Sequence, residues 1–237
     1  MQTLENTPAL VHAGPFANVA HGNSSIIADL IGIKTADYLM TESGFGADIG
    51  AEKFFNIKCR YSGLKPDACV IVATIRALKS HSGKYRIVAG KALPPEMLEK
   101  GVADVEAGAA NLRKQIENVK LHGVTPVVAI NAFETDHADE IEAVKRIAVE
   151  SGALGAAVSR HWADGGKGAI DLAEMVIAAA DEPSEFKYLY DLDQPITRAG
   201  KHRMAEGIKF RLVGCNFLSC LIPQSFPDHN HAVIESC

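Results

Sequence analysis

Four short strings in this chain of 237 residues carry side chains suited to chemistry. In VVAINAFETD (127–136), the Asn131 amide donates and accepts at once, the complement of a base edge such as adenine's, and Asp136 follows five residues on. The same pair equally suits an Asx turn in which Asp136 opens the next helix. In HWADGGKG (161–168), Trp162 is the chain's one tryptophan. An indole on a glycine-rich loop can stack on a flat heterocycle with a gain of order 1 kcal/mol, or pack beneath the loop as structure. Gly165, Gly166 and Gly168 would let backbone N–H groups approach an anion. TESGFGAD (41–48) sets Glu42 and Asp48 beside glycines, where a carboxylate holds Mg2+ through water or, for Asp48, charges a first helical turn. VATIRALKSHSG (72–83) offers Arg76 and Lys79 to phosphate or carboxylate oxygens, or as a solvated pair of charges. His12 and His21 have no further ligand at metal spacing. Neither GGKG nor SGKY has the G-x-x-x-x-G-K-[ST] spacing of a phosphate-cradling P-loop.

These residues need a scaffold that brings them together, and the pattern supplies one. Short apolar runs at 38–41, 68–74, 125–130 and 154–159 predict strands. Helical patterns follow at 47–59, 94–122, 138–151 and 169–180, the second opened by Pro94 and Pro95 and stopped by Gly123. The run VIVA within the second strand is continuously apolar and mostly β-branched, as in strands buried on both faces. Strand–helix alternation predicts an α/β fold, a mostly parallel sheet with helices on both faces. Glu42 and Ser43 then follow strand one, Arg76 and Lys79 strand two, Asn131 and Phe133 strand three, and His161 and Trp162 strand four. All emerge at the carboxyl edge of the sheet, where open α/β folds bind ligands. Before the first strand, Asn23 or Ser24 is a natural N-cap.

Composition narrows the function classes. The chain is 47% hydrophobic and 22% charged with net charge −5, which predicts a globular protein with a sizeable core and no nucleic-acid partner. No signal peptide or membrane-length apolar run is present, and five cysteines without framework spacing suit a reducing cytoplasm. Cys59 and Cys69 are expected to pack as small apolar groups. Residues 1–193 read as one α/β domain and 194–237 as an atypical, poorly ordered tail.

Taken with ENTPALVHAGPFANVAHGNSS (5–25), NLRKQIEN (111–118) and YLYDL (188–192), these strings resemble the central part of formate–tetrahydrofolate ligase, from about residue 3 to about residue 193. The resemblance implies a P-loop NTPase-like architecture. It also implies an ATP-dependent reaction in which formate is phosphorylated to formyl phosphate and the N10 amine of tetrahydrofolate attacks the formyl carbon. Mg2+ and a monovalent cation (K+ or NH4+) assist, in a homo-oligomer. By motif, Phe133 and Trp162 would sandwich the pterin, Asn131 and Asp136 would line the same mouth, and Arg76 would meet a phosphate or oxyanion. Three departures stand out. The family's Gly-Glu-Gly-Lys-Thr-Thr string is not among these residues, the stretch from Gln194 onward resembles none of the family's continuation, and Ser82 replaces the first glycine of a His-Gly-Gly signature, which predicts a tighter loop. An isolated chain of this sequence is therefore expected to show little or no ligase activity. The competing readings are a non-catalytic fragment that binds folate or nucleotide or joins subunits, and a generic nucleotide-binding domain, against which the lack of G-x-G-x-x-G counts.

Overall fold

The computed structural model describes residues 1–11, 23–44, 46–88 and 90–193, together with the backbone of strand 217–221. In chain order come α1 (Ile26–Thr35), β1 (Met40–Ser43), α2 (Gly50–Lys53), a π-helical turn (Phe54–Lys58) and α3 (Cys59–Ser62). Then follow β2 (Ala68–Ala73), α4 (Ile75–His81), α5 (Pro95–Leu98), α6 (Val102–Gly108) and α7 (Ala110–Leu121). The remainder is β3 (Thr125–Asn131), α8 (Ala138–Glu150), β4 (Gly155–Ser159), α9 (His161–Asp164), a 3-10 turn (Gly165–Ala169), α10 (Ile170–Asp181) and β5 (Phe217–Leu221).

β2, β3 and β4 form a parallel ladder, with Val70 beside Val127 and Val128 beside Ala156. Alternation along each strand sends Cys69, Ile71, Val128 and Ile130 to one face, where they pack with Leu112 and Ile116 of α7 and Val144 and Ile147 of α8. Val70, Val127 and Ala129 point to the other face, against Val176, Ala179 and Ala180 of α10. The chain is thus an α/β fold with helices on both faces, which is why its central strands read as unbroken apolar runs. Cys59 and Cys69 are fully buried in this core.

β5 lies between β1 and β2, antiparallel to both, in the order β1-β5-β2-β3-β4. The other four strands share one direction. Part of the stretch read as an atypical tail therefore enters the sheet. β1 also differs from its expected span. Pairing with β5, Glu42 beside Ser219 and Ser43 beside Leu218, carries it past Thr41, so Glu42 and Ser43 lie inside the strand, Glu42 exposed and Ser43 buried. The N-cap of α1 is Ser25, whose hydroxyl accepts the Ala28 N–H at 3.1 Å, rather than Asn23 or Ser24. His12 and His21 lie outside the described residues.

The single helix expected over 94–122 is three. The chain leaves helical geometry at Glu99 and Gly101, and a buried ion pair satisfies the break. Lys79 and Glu140 meet at 2.5 Å with both side chains almost wholly out of solvent. The Lys79 ammonium donates to the carbonyls of Met97 (3.0 Å) and Glu99 (2.6 Å) at the end of α5. The Glu140 carboxylate accepts the Gly101 N–H at 2.7 Å, at the start of α6. Of the roles open to Lys79, a phosphate ligand, a carboxylate partner or a solvated charge, the structure shows the carboxylate partner, and that carboxylate is the chain's own Glu140. Ser82 does not strain its loop, because its φ is −63° and the left-handed position falls on Gly83 (φ 78°). The Ser82 hydroxyl instead donates to the Lys79 carbonyl at 2.6 Å.

Gly123 ends α7 as expected, at φ 74°. A side chain there would also meet the Glu185 carbonyl, 2.1 Å from the site of a Cβ, because the strap after α10 pairs back onto this corner. His122 anchors that strap, its Nδ1 donating to the Lys187 carbonyl at 3.1 Å while its ring lies 4.4 Å from that of Phe55.

Two predictions follow from buried charge. Lys79→Ala leaves the Glu140 carboxylate buried without its cation and should cost about 3–5 kcal/mol in urea unfolding, whereas Lys145→Ala, at an exposed helical pair, should cost less than about 1 kcal/mol. Similar costs for the two would show that water reaches Lys79. Asp67, at the mouth of β2, is 6% exposed. Burial, and then the Asp181 carboxylate, push its pKa to about 8. The folded chain therefore holds a proton there that the unfolded chain releases in the ordinary carboxylate range. This stability is complete at low pH and is lost as pH rises through about 8. The melting temperature should fall between pH 6 and pH 9, and Asp67→Asn should flatten that fall; an unchanged slope in the variant would contradict the assignment.

Candidate functional site

The carboxyl edges of β3 and β4 build one site. Asn131 and Ser159 are register partners at these ends, and the Ala132 N–H donates to the Ser159 carbonyl at 3.1 Å. The chain then turns sharply. The Asp136 N–H donates to the Phe133 carbonyl at 3.0 Å, and the Asp136 carboxylate accepts the Phe133 N–H at 2.9 Å. Asp136 thus closes the turn and does not cap α8. The N-cap is His137, whose N–H goes to Glu140 at 3.2 Å. Burial raises the Asp136 pKa, while the Phe133 N–H and then the Arg76 charge act against that rise.

Arg76 reaches the same turn from the first helical turn after β2, where Thr74 caps α4 by accepting the Ala77 N–H at 3.0 Å. Its guanidinium lies over the half-buried Phe133 ring, 3.8 Å from the centroid, and donates to the Thr135 hydroxyl at 3.0 Å. Its Nε is buried with no hydrogen-bond partner among the described residues. Cation–π contacts of this kind contribute about 0.5–2 kcal/mol and fix the ring's tilt.

Trp162 lies in α9, directly after β4. Its indole is 53% exposed, and Nε1 donates to the Ala132 carbonyl at 3.0 Å. The ring edge is therefore pinned to the residue before Phe133 while about half the surface stays open to a ligand. His161 Nδ1 sits 2.8 Å from the Ser159 hydroxyl. The diglycine Gly165-Gly166 does receive an anion, but from the chain itself: the Glu5 carboxylate accepts the Gly166 N–H at 2.7 Å. Nothing in the local sequence of either segment announces that contact.

A cavity of about 390 Å³ opens beside this edge, between α10 and the sheet. Val70, Val72, Leu172 and Val176 line it, and Asn131 and His161 stand among its polar residues. The space exists because small residues meet across the gap, Ala129 on β3 and Ala169 and Ala173 at the start of α10. The Asn131 Oδ1 atom is buried without a hydrogen-bond partner among the described residues, an acceptor that a ligand N–H would satisfy. The residues present thus fit a flat, largely apolar heterocycle with an N–H edge.

Arg76, Asn131, Phe133, Asp136, His161 and Trp162 come together; Glu42 and Asp48 do not. Glu42 sits on β1, separated from β3 by β5 and β2, roughly 14 Å at ordinary strand spacing. Asp48 is buried and accepts from Gln115 Nε2 at 3.2 Å, in the loop before α2. No group of three or more His, Cys, Asp or Glu side chains arranged to hold a metal ion occurs among the described residues. Nor, among them, is any helix long and apolar enough to cross a membrane.

Known proteins of one family are similar to this chain. The family model described as formate–tetrahydrofolate ligase matches residues 1–206, past the boundary expected near 193. A formate–tetrahydrofolate ligase of Saccharopolyspora erythraea is 65% identical over 190 residues, covering 80% of this chain and 34% of that protein. One from Cutibacterium acnes is 60% identical over 196 residues (83% and 35%). Formate–tetrahydrofolate ligase 3 of Rubrobacter xylanophilus is 58% identical over 224 residues (89% and 39%). The chain thus spans little more than a third of the length of the curated relatives it matches.

The turn at 133–136 can be tested directly. Asp136→Ala removes the acceptor of the Phe133 N–H and should lower stability by about 1–3 kcal/mol in urea unfolding. It should also shift Trp162 emission, because the Ala132 carbonyl that holds the indole moves with the turn. Asp136→Asn keeps an acceptor oxygen and should stay within about 1 kcal/mol of the parent; two equally stable variants would show that the side chain does not hold the turn.

Proposed function

The chain belongs to the formate–tetrahydrofolate ligase family, and we propose that it takes part in the ATP-dependent joining of formate to tetrahydrofolate, supplying the folate-binding face. The observation that carries this reading is the tie between the two aromatic loops, Trp162 Nε1 on the Ala132 carbonyl at 3.0 Å, which holds an exposed indole next to Phe133 at the ligand-binding edge of the sheet. A pterin has two flat faces and a polar edge. Phe133 and Trp162 would contact the faces, and Asn131 would accept from an N–H of the edge.

In the reaction, a terminal phosphoryl group passes from ATP to a formate oxygen, giving ADP and formyl phosphate. The N10 lone pair of tetrahydrofolate then attacks the formyl carbon, the C–O bond to phosphate breaks, and the amine proton is lost. The residues described here serve the second step by orientation. Stacking fixes the plane of the folate, and a near-attack geometry lowers the entropic part of the barrier. Arg76 holds Phe133 in place, and its charge beside the site would favour the anionic leaving group. The P-loop NTPase-like architecture, the Mg2+ that accompanies ATP, a role for Glu42 toward it, a monovalent cation, and assembly as a homo-oligomer belong to the same reading. These 237 residues hold no G-x-x-x-x-G-K-[ST] string. Taken alone, the stretch should bind folate without normal turnover.

A titration of the purified chain with a tetrahydrofolate analogue should quench Trp162 fluorescence saturably. Phe133→Ala, removing one stacking face worth about 1–1.5 kcal/mol, should raise the dissociation constant about tenfold. A cooperatively folded chain that shows no quenching would contradict the proposal.

A further inference from the structure

Residues 1–9 fold into a small hairpin of their own. Gln2 bridges Pro8, the Thr3 N–H donates to the Thr7 carbonyl at 2.9 Å, and the Ala9 N–H donates to the Met1 carbonyl at 2.9 Å. Asn6 takes a left-handed φ of 63° so that the chain can reverse. Glu5 stands in this turn, and its carboxylate reaches across to accept the Gly166 N–H at 2.7 Å.

The fit at that contact is close. A Cβ added to Gly166 would lie 2.7 Å from the Glu5 carboxyl carbon, and one on Gly165 would lie 3.2 Å from Oε1. Gly165 also has φ 62°. Only glycine at both positions lets the carboxylate seat on the backbone. The loop behind it is closed at its neck, where the Arg160 N–H donates to the Gly168 carbonyl at 2.9 Å. Trp162 hangs from this closed loop, with its Nε1 on the Ala132 carbonyl.

We propose that Glu5 is a positioning residue for Trp162: its carboxylate fixes the diglycine segment, and the fixed segment sets the orientation of the indole. This rests on the reading of Trp162 as a folate-stacking surface. Two adjacent glycines have the largest backbone freedom of any residues. A loop carrying them would sample many conformations, and binding would then pay the entropy of ordering it. The Glu5 contact removes that freedom before the ligand arrives, without burying the indole.

The chain has one tryptophan, so its emission reports Trp162 alone. Fluorescence anisotropy decay and acrylamide quenching are measured on the full chain without ligand, followed by titration with the tetrahydrofolate analogue. Glu5→Ala should speed local indole motion, increase quenching by acrylamide, and weaken analogue binding about fivefold, with the thermal unfolding midpoint held. Glu5→Gln keeps an oxygen acceptor and should restore parent values. Gly166→Ala crowds the carboxylate from the other side and should reproduce Glu5→Ala; in the Glu5→Ala background it should add nothing further to the indole's motion. Indole motion unchanged in Glu5→Ala would overturn the proposal. Analogue binding by the parent with no difference among the variants would also overturn it, while leaving the stacking surface intact. Failure of the parent to bind, with Glu5→Ala still freeing the indole, would remove the stacking reading and keep Glu5 as the residue that orders Trp162.

Discussion

A buried ammonium and a buried carboxylate govern how this chain is arranged around its site. Desolvating two charges costs several kcal/mol per ion, and the cost is offset only when each charge is met by further hydrogen bonds. Lys79 and Glu140 achieve this by taking up the backbone groups left over where α5 ends and α6 begins. The same Glu140 accepts the N–H of His137 at the start of α8. One pair therefore joins α4, α5, α6 and α8, and it fixes the residue at which α8 can begin. The turn that carries Phe133 has to close in the space between that point and the end of β3.

The site itself uses backbone anchors to hold rings that stay accessible. Phe133 is held from one side by a guanidinium and Trp162 by a hydrogen bond from its indole nitrogen. Neither contact covers the ring completely, so both remain available for stacking while their tilt is set. Asp136 adds rigidity through a pair of bonds across four residues. Beside them, the cavity under α10 follows from alanines on facing elements, and Asn131 Oδ1, a buried acceptor unpaired among the described residues, gives a largely apolar space a preferred orientation for what enters it.

Much of this was readable in the sequence where the signal is local. The unbroken apolar run of β2 and the valines of β3 announce strands covered on both sides, and Gly123 announces the end of α7. Convergence of Asn131, Phe133 and Trp162 followed from topology alone, since parallel strands deliver their following loops to one edge. What escaped depends on partners distant in sequence. The break at Glu99–Gly101 is stabilised by a carboxylate 39 residues further on, so the helical pattern over 94–122 gave no sign of it. Lys79 in IRALKSH looks like any surface lysine until Glu140 arrives. Glu42 was displaced from loop to strand by pairing with segments far away, and Asp136 had two local roles open to it, of which the turn prevailed because His137 and Glu140 cap α8 instead.

The contact between Glu5 and Gly166 spans 161 residues of chain. During synthesis at about 5–20 residues per second, the hairpin would emerge and then wait on the order of 10–30 s before its partner loop is made. Over that interval the strands and helices between them are produced and can pair. The aromatic surface would thus be completed late, after the sheet that supports it, and the hairpin would spend its wait presenting Met1 and Leu4, side chains that stay exposed even in the finished fold, to neighbouring chains.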